Sequence, residues 1–245
     1  MELSSGRTWV IAHRGASADR PENTRAAFDE ALRQGCDAIE LDVQLTRDGV
    51  PLIHHDRTLA RFGAKQQTIA QADWRQLRSL HLPTLDAVLE RYARRTTLLV
   101  EIKVDEATMG PREREALVRA VLERLRPAEI ERRTLLLSFD GRVLDLCAAE
   151  SPRLRRVLNV KLPPYLPRGL RARLPALAAL SVDIRTVTPL VAAALSRAGC
   201  PLLSYTCNTP RRVERALRAG VEGIISDRPG WLRAYLEQRR ARSSA

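Results

Sequence analysis

The stretch Ala38-Ile39-Glu40-Leu41-Asp42-Val43 decides the fold of this 245-residue chain. It is an apolar run typical of a buried β-strand, and two carboxylates interrupt it two residues apart. Side chains alternate across a strand, so Glu40 and Asp42 face the same side. Two acids on one face of a buried strand cost free energy unless a cation or a proton balances them. The stretch therefore predicts a core strand that carries a metal site.

Two other apolar runs lead into polar residues in the same way. One ends in His13 and Arg14, and the run Leu98-Leu99-Val100 continues into Glu101 and Lys103. Because Glu101 and Lys103 are also two residues apart, we expect both to face one side of their strand. Three carboxylates that converge on one point would form an all-oxygen site, which suits Mg²⁺ or Ca²⁺ better than zinc. The histidines would then be available for proton transfer.

Strand-like runs and helical runs alternate along the whole chain. We predict eight strands, at residues 8–12, 38–45, 98–104, 134–139, 156–160, 180–184, 201–205 and 223–226. We predict seven amphipathic helices, at residues 23–34, 84–94, 112–125, 141–150, 189–197, 210–219 and 231–240. The fifth crossover, residues 163–179, is rich in proline and arginine and has the weakest helical pattern.

This alternation is typical of parallel βαβ units. Eight units favour the α/β class, and within it a closed TIM (β/α)8 barrel rather than a doubly wound sheet. No Gly-x-Gly-x-x-Gly follows the first strand, which also disfavours a dinucleotide-binding fold. We expect a single domain, residues 1–245, with a short insertion after the second strand in which residues 50–56 form an added strand.

The amino-acid composition disfavours two classes of function, nucleic-acid binding and an integral membrane protein. The net charge is +12, but the arginines are spread along the predicted helices, and aromatic residues make up only 4% of the chain. Few aromatic side chains leave few stacking surfaces for single-stranded nucleic acid, so we expect no nucleic-acid partner. No stretch is long and apolar enough to span a bilayer, so we expect no integral membrane segment. The sequence does not define the oligomeric state.

The cellular compartment is indicated by the N-terminus and the cysteines. The first eight residues lack the apolar core of a secretion signal. The four cysteines show no Cys-x-x-Cys spacing and lie within predicted elements. We therefore expect reduced core thiols in a cytoplasmic protein.

A series of short motifs resembles, in order and spacing, the glycerophosphodiester phosphodiesterase family in its bacterial cytosolic form. The motifs are His13-Arg14-Gly15, Pro21-Glu22-Asn23-Thr24, Glu40-x-Asp42, Thr46-x-Asp48-Gly49, His55-Asp56, Leu82-Pro83-Thr84-Leu85, Glu101-x-Lys103, Ser138-Phe139, Tyr205-Thr206-x-Asn208 and residues 220–227. The likeness covers nearly the whole chain, and the combination of motifs is highly specific.

The resemblance implies a TIM barrel and a set of catalytic residues. Glu40, Asp42 and Glu101 match the family's ligands of a divalent cation, which we expect to be Mg²⁺ or Ca²⁺, with Mn²⁺ as an alternative. His13 and His55 match its general acid and base, and the sequence leaves open which is which. It also leaves open whether water or a neighbouring glycerol hydroxyl is the nucleophile.

Further residues match the family near the substrate. Arg14 and Lys103 match basic groups beside the phosphate of a small-molecule glycerophosphodiester. Tyr205 could line the pocket for the alcohol, or it could be an aromatic residue of the core or rim. Asp56 could orient a histidine or cap a turn, and we expect His54 to be structural.

Three functions are compatible with the sequence. The first is metal-dependent hydrolysis of glycerophosphodiesters to sn-glycerol 3-phosphate and an alcohol, in phospholipid and glycerol metabolism. The second keeps this chemistry but acts on lysophospholipids, as a lysophospholipase D does. The third belongs to another class, a non-catalytic basic protein that binds anionic surfaces or nucleic acid.

Overall fold

Eight parallel strands close into a barrel in the computed structural model, which describes residues 7–105, 108–161 and 170–243. The strands in chain order are β1 (Trp9–His13), β2 (Ala38–Leu45), β3 (Pro51–Ile53), β4 (Thr58–Leu59), β5 (Ala64–Thr68), β6 (Thr97–Ile102), β7 (Thr134–Ser138), β8 (Arg155–Val160), β9 (Ala179–Asp183), β10 (Leu202–Tyr205) and β11 (Gly223–Ser226). The order around the barrel is β1-β2-β6-β7-β8-β9-β10-β11, and β11 pairs with β1 to close it. The predicted TIM barrel is confirmed.

Helices connect the barrel strands on the outside. They are α1 (Arg25–Arg33), α2 (Trp74–Leu77), α3 (Leu85–Tyr92), α4 (Pro111–Leu125), α5 (Ala128–Glu131), α6 (Gly141–Glu150), α7 (Leu170–Arg173), α8 (Pro189–Arg197), α9 (Pro210–Arg218) and α10 (Pro229–Ser243). All seven predicted helices occur, and the eight predicted barrel strands end within two residues of the observed ones. In its described part, the fifth crossover contains the short α7 and a 3-10 helix, Leu174–Ala176, and its residues 162–169 lie outside the described part of the chain.

The insertion after β2 is larger than the single added strand predicted for residues 50–56. Only β3 joins the sheet, antiparallel to β2, and the chain then forms the β4–β5 hairpin and α2. After β3 the Gln44 side chain holds the departing chain by donating hydrogen bonds to the carbonyls of His54 and Asp56, both at 2.8 Å. The insertion has its own small apolar core, formed by Leu52, Leu59, Ile69, Ala72, Leu77 and Leu82.

The barrel interior is filled by apolar side chains up to the carboxyl ends of the strands. This inner core is formed by Trp9, Ile11, Ala38, Leu99, Leu135, Leu137, Val157, Ala179, Leu203 and Ile225. A second, larger core lies between the strands and the helices. Because the inner core closes the barrel from below, polar side chains that point inward gather at the carboxyl ends, where the site lies.

The structure also bears on two further expectations, the reduced cysteines and the absence of a membrane-spanning segment. Cys147, Cys200 and Cys207 are buried and Cys36 is half-buried, all as free thiols. Burial raises the pKa of Cys36, Cys147 and Cys207 to about 12, so these thiols are protonated and unreactive. Within the described ranges, no helix has the length and apolar character needed to cross a membrane.

The packing of the inner core predicts that truncating a buried leucine lowers the free energy of unfolding far more than truncating an exposed one. Leu99 is 1% exposed in the barrel interior, whereas Leu190 at the start of α8 is 84% exposed. Leu99→Ala should lower the free energy of unfolding by about 2–5 kcal/mol, because it leaves a cavity among packed side chains. The same change at Leu190 should leave that free energy within about 0.5 kcal/mol. Urea denaturation of both variants tests this, and similar losses would contradict the packing described.

Candidate active site

A cavity of about 220 Å³ opens at the carboxyl end of the barrel. Its lining residues are His13, Arg14, Glu40, His55, Glu101, Lys103, Leu137, Phe139, Asn159, Lys161, Tyr205, Thr206 and Ile225. Seven of the eight predicted site residues are among them. The eighth, Asp42, is 1% exposed and contacts the side chains of Arg14 and Lys103. The structure thus brings all eight together.

Three carboxylates form the centre of the site. Glu40 and Asp42 lie on β2, and Glu101 lies opposite Asp42 in the register of β2 with β6. Oxygens of all three lie within 4.8 Å of one another. The three residues are only 3%, 1% and 7% exposed. Alternation along two neighbouring strands therefore concentrates negative charge in a volume that is largely shielded from water.

Two cations and two amides hold these carboxylates. Lys103 Nζ donates to Glu101 Oε1 at 2.8 Å and lies 3.4 Å from Asp42 Oδ1. Arg14 Nε lies 3.3 Å from Asp42 Oδ2, and the Arg14 backbone N–H donates to Glu40 Oε2 at 3.0 Å. Two amide groups, on Asn23 and Asn159, donate to Asp42 at 2.8 Å and to Glu101 at 3.0 Å.

The charges in the centre do not balance. Burial, and then repulsion by Asp42 and Glu101, raise the pKa of Glu40 well above its usual value. Burial and Asp42 likewise raise the pKa of Glu101. Burial alone would raise the pKa of Asp42, but Lys103 and Arg14 outweigh it and lower this pKa. Three carboxylates face two cations, so the ionised centre retains one negative charge. An all-oxygen donor set with excess negative charge fits a hard divalent cation.

A tight turn after β1 delivers Arg14 to this centre. Arg14 has φ +57° and Gly15 has φ +82°, so both adopt the left-handed conformation. A Cβ on Gly15 would lie 2.6 Å from the backbone carbon of Ala27 in α1, so only glycine fits there. The glycine in the His-Arg-Gly motif thus lets α1 approach the turn closely.

His13 is held by a residue from the other end of the chain. Its Nδ1 hydrogen-bonds to Asp227, which follows β11 and also accepts from Asn208 and Ser17. Burial alone would raise the pKa of Asp227, but the hydrogen bonds and charge of His13 outweigh it and lower this pKa. The ionised carboxylate therefore accepts the Nδ1 proton, which leaves Nε2 of His13 for the cavity.

His55 has a matching arrangement on the other side of the cavity. Its Nδ1 lies 3.0 Å from Asp56 Oδ1, so Asp56 orients the ring. Arg61 in turn donates to Asp56 Oδ2 at 2.9 Å. Burial lowers the pKa of His55 despite the opposing charge of Asp42. Of the two roles considered for Asp56, the structure supports histidine orientation.

His54 faces away from the cavity, as expected for a structural residue. It is 3% exposed, its Nε2 lies 3.3 Å from the carbonyl of Thr58, and its ring packs near Phe62 in the insertion.

Aromatic and polar residues on β7, β8 and β10 complete the cavity. Tyr205 lines it, and its ring meets Phe139 edge to face with centroids 6.1 Å apart. Asn159 and Lys161 were not selected from the sequence, and Phe139 was named there only within the Ser138-Phe139 motif. Asn159 and Lys161 have the same two-residue spacing as Glu40 and Asp42, and this spacing at a strand end was the available signal.

Two polar residues near the end of β7 are not part of the cavity lining. Ser138 donates to the carbonyl of Ile102, and Asp140 begins α6, where it pairs with Arg114 and Arg142. Both groups are used locally because Ser138 lies on the outward face of β7 and Asp140 caps the helix that follows it.

Comparison with known proteins agrees with this geometry. The model of the glycerophosphoryl diester phosphodiesterase family matches residues 13–231. A glycerophosphodiester phosphodiesterase of Caldanaerobacter subterraneus subsp. tengcongensis is 31% identical over 91% of this chain and 95% of its own length. One of Bacillus altitudinis is 28% identical over 91% and 95%.

A solved structure is also similar to this chain in fold and in sequence. A phosphodiesterase of Oleispira antarctica, solved in complex with the product sn-glycerol-3-phosphate, is similar with a TM-score of 0.82 and 26% identity. The similarity covers 97% of this chain and all of that one.

The charge imbalance generates a prediction about stability. In the presence of chelator, Glu40→Gln should melt on the order of 3 °C above the unchanged protein, because it removes one of three repelling carboxylates. Mg²⁺ or Ca²⁺ at about 100 times its dissociation constant should raise the melting temperature of the unchanged protein by roughly 5–10 °C. Glu40→Gln should gain much less.

The matched control is Glu237→Gln, the same change on the exposed face of α10. It should change neither melting temperature. Differential scanning calorimetry with and without the cation measures both effects. An equal gain for Glu40→Gln and the unchanged protein would contradict a cation at this centre.

Proposed function

Because the chain belongs to the glycerophosphoryl diester phosphodiesterase family, we propose that this enzyme hydrolyses glycerophosphodiesters to sn-glycerol 3-phosphate and an alcohol. The observation that carries the proposal is the meeting of three buried carboxylates with two carboxylate-oriented histidines at one cavity. We further propose that it acts in the phospholipid and glycerol metabolism of the cytoplasm, which its free thiols support.

The residues proposed to hold the metal are Glu40, Asp42 and Glu101. Their oxygen donors suit Mg²⁺ or Ca²⁺, with Mn²⁺ as an alternative. When bound, the cation withdraws negative charge from the non-bridging oxygens of the phosphodiester. Arg14 and Lys103 already stand beside the carboxylates and supply two further positive charges near the phosphate. Their role is to stabilise the charge that develops in the transition state.

The two histidines are proposed to move protons on opposite sides of the phosphate. Each ring donates Nδ1–H to a carboxylate, Asp227 for His13 and Asp56 for His55, and presents Nε2 to the cavity. One Nε2 takes the proton of the nucleophile, which is water or the neighbouring glycerol hydroxyl. The other begins as an imidazolium with a proton on both nitrogens, and it gives its Nε2 proton to the departing alcohol oxygen. The carboxylates accept Nδ1–H from both rings, which orients Nε2 of each ring and stabilises the imidazolium form that each ring takes in turn.

A groove beside the cavity favours a second candidate substrate, a lysophospholipid. The groove measures about 270 Å³ and shares His55 and Lys103 with the cavity. It runs between the insertion and the residues after β6, and its wall includes Ala70, Val104 and Met109. An apolar wall next to the departing oxygen would accommodate a leaving group with an aliphatic part. The chemistry would be unchanged, as in a lysophospholipase D.

The rival function without catalysis rests on the basic surface alone. Many surface arginines are paired with acids, including Arg91 with Asp29, Arg119 with Glu150 and Arg239 with Glu214. Such pairing reduces the charge available to an anionic partner. It is typical of solvated helix faces rather than of a binding surface.

Histidine catalysis predicts a large and selective loss of activity. His13→Ala and His55→Ala should each lower kcat on glycerophosphocholine by about 100- to 10,000-fold, because each removes a proton-transfer group. His81→Asn, on the exposed turn before α3, should keep full activity. Release of sn-glycerol 3-phosphate is the measurement. Unchanged turnover in both alanine variants would exclude this mechanism, whereas no turnover by the unchanged protein would favour the non-catalytic function.

Metal dependence and substrate choice can be tested in one assay. Excess EDTA should abolish turnover, and Mg²⁺, Ca²⁺ or Mn²⁺ should restore it, since the carboxylate centre repels an anionic substrate when it holds no cation. Full turnover in EDTA would contradict the metal role. A panel of glycerophosphodiesters and lysophosphatidylcholine separates the two candidate substrates, and cleavage of the lysolipid alone would favour the second.

A further inference from the structure

Asn159 lies in the cavity wall with only one of the two polar atoms of its side-chain amide hydrogen-bonded. It lies on β8, is 5% exposed and lines the cavity. Its Nδ2 donates to Glu101 Oε2 at 3.0 Å. Its Oδ1 is buried and has no hydrogen-bond partner among the residues that the structure describes. The amide is thus held at one end and carries an unused acceptor at the other.

The direction of this acceptor is fixed by chemistry. A carboxylate can only accept, so the nitrogen of the Asn159 amide must face Glu101 and the oxygen must face away from it. A buried acceptor that finds no donor is costly, and native proteins rarely keep one without a ligand or water to satisfy it. The geometry therefore calls for a hydrogen-bond donor at Asn159 Oδ1, and since Asn159 lines the cavity we take that donor from a bound ligand.

The surroundings of Asn159 define the kind of donor. Phe139, Tyr205 and Ile225 give this side of the cavity an apolar wall. The Tyr205 hydroxyl donates to the carbonyl of Val160 at 3.2 Å and so is already engaged. Lys161 Nζ lies 5.5 Å from the centre of the Phe139 ring. An apolar wall with one fixed acceptor suits a small aliphatic molecule that carries a hydroxyl group.

We infer that Asn159 Oδ1 accepts a hydrogen bond from a hydroxyl of the substrate's glycerol moiety, which makes Asn159 a specificity-determining residue. The inference rests on the proposed function and deepens it. The carbon chain of the glycerol then lies against the aromatic wall on the β7–β10 side. The departing alcohol leaves on the opposite side, toward the groove next to His55.

This arrangement has a consequence for recognition. A phosphate ester that lacks the hydroxyl leaves Oδ1 buried and unpaired, so the site rejects it more strongly than an apolar pocket would. The same residue also holds Glu101. A test must therefore separate hydroxyl recognition from the positioning of that carboxylate.

The test compares three phosphate monoesters in the same Mg²⁺ buffer by isothermal titration calorimetry. They are sn-glycerol 3-phosphate, propane-1,2-diol 1-phosphate without the terminal hydroxyl, and propane-1,3-diol 1-phosphate without the central one. The unchanged protein should bind sn-glycerol 3-phosphate about tenfold more tightly than one of the two analogues. Asn159→Leu should abolish that ratio. If Asn159 acts only through Glu101, all three affinities fall by one common factor and the ratio persists, which overturns the inference.

Two further variants complete the design. Asn159→Asp keeps an acceptor oxygen, so it should bind all three esters more weakly but retain the ratio. Ser181→Ala tests the rival donor, because Ser181 is fully buried opposite Asn159 in the register of β8 with β9 and its hydroxyl also has no hydrogen-bond partner among the described residues. It should leave all affinities unchanged. Loss of the ratio in Asn159→Asp or in Ser181→Ala would contradict the inference.

The outcome is decided even where Asn159→Leu does not fold, since equal affinity of the unchanged protein for all three esters already refutes the inference. A parallel assay of glycerophosphodiester hydrolysis separates the two proposals. A protein that cleaves the diesters but shows equal affinities contradicts this inference alone. A protein that cleaves none of them contradicts the proposed function.

Discussion

The repulsion among three buried carboxylates is the constraint on which the rest of the site depends. Glu40, Asp42 and Glu101 lie within 4.8 Å of one another where water is largely excluded. Such crowding persists only because the fold supplies Arg14, Lys103 and two amides around it. The barrel strands, the strained turn after β1 and the amide on β8 can each be understood as a means of holding these charges together. The negative charge that they leave uncompensated attracts a cation.

The barrel holds these charges together because the same alternation of side chains recurs on its strands. Inward-pointing residues alternate along each strand, so the interior changes from apolar to polar over a single two-residue step. Leu99 closes the floor, and Glu101 and Lys103 stand above it on the same strand. The apolar layer gives the charges a rigid base and excludes water from beneath. It thereby strengthens every electrostatic interaction in the cavity above.

Much of this could be predicted from the sequence because two-residue alternation and motif order are local properties. The barrel, the convergence of the three acids and the structural role of His54 all followed from them. The extent of the insertion did not, because side-chain contacts that no periodicity describes hold it, such as those of Gln44 with the carbonyls of His54 and Asp56. Asn159 was also missed. Its significance comes from a contact with Glu101, 58 positions away in the chain, and not from its neighbours in sequence.

The hydrogen bond between His13 and Asp227 joins residues that are 214 positions apart, one at the end of the first barrel strand and one just after the last. Its existence depends on the pairing of β1 with β11, the step that turns an open sheet into a closed ring. Completion of the ring and orientation of this imidazole are therefore the same event. A nascent chain that still lacks its final strand has the carboxylate centre's residues but not a correctly held His13. The proposed chemistry thus requires the closed ring, because Asp227 can hold His13 only where β11 is paired with β1.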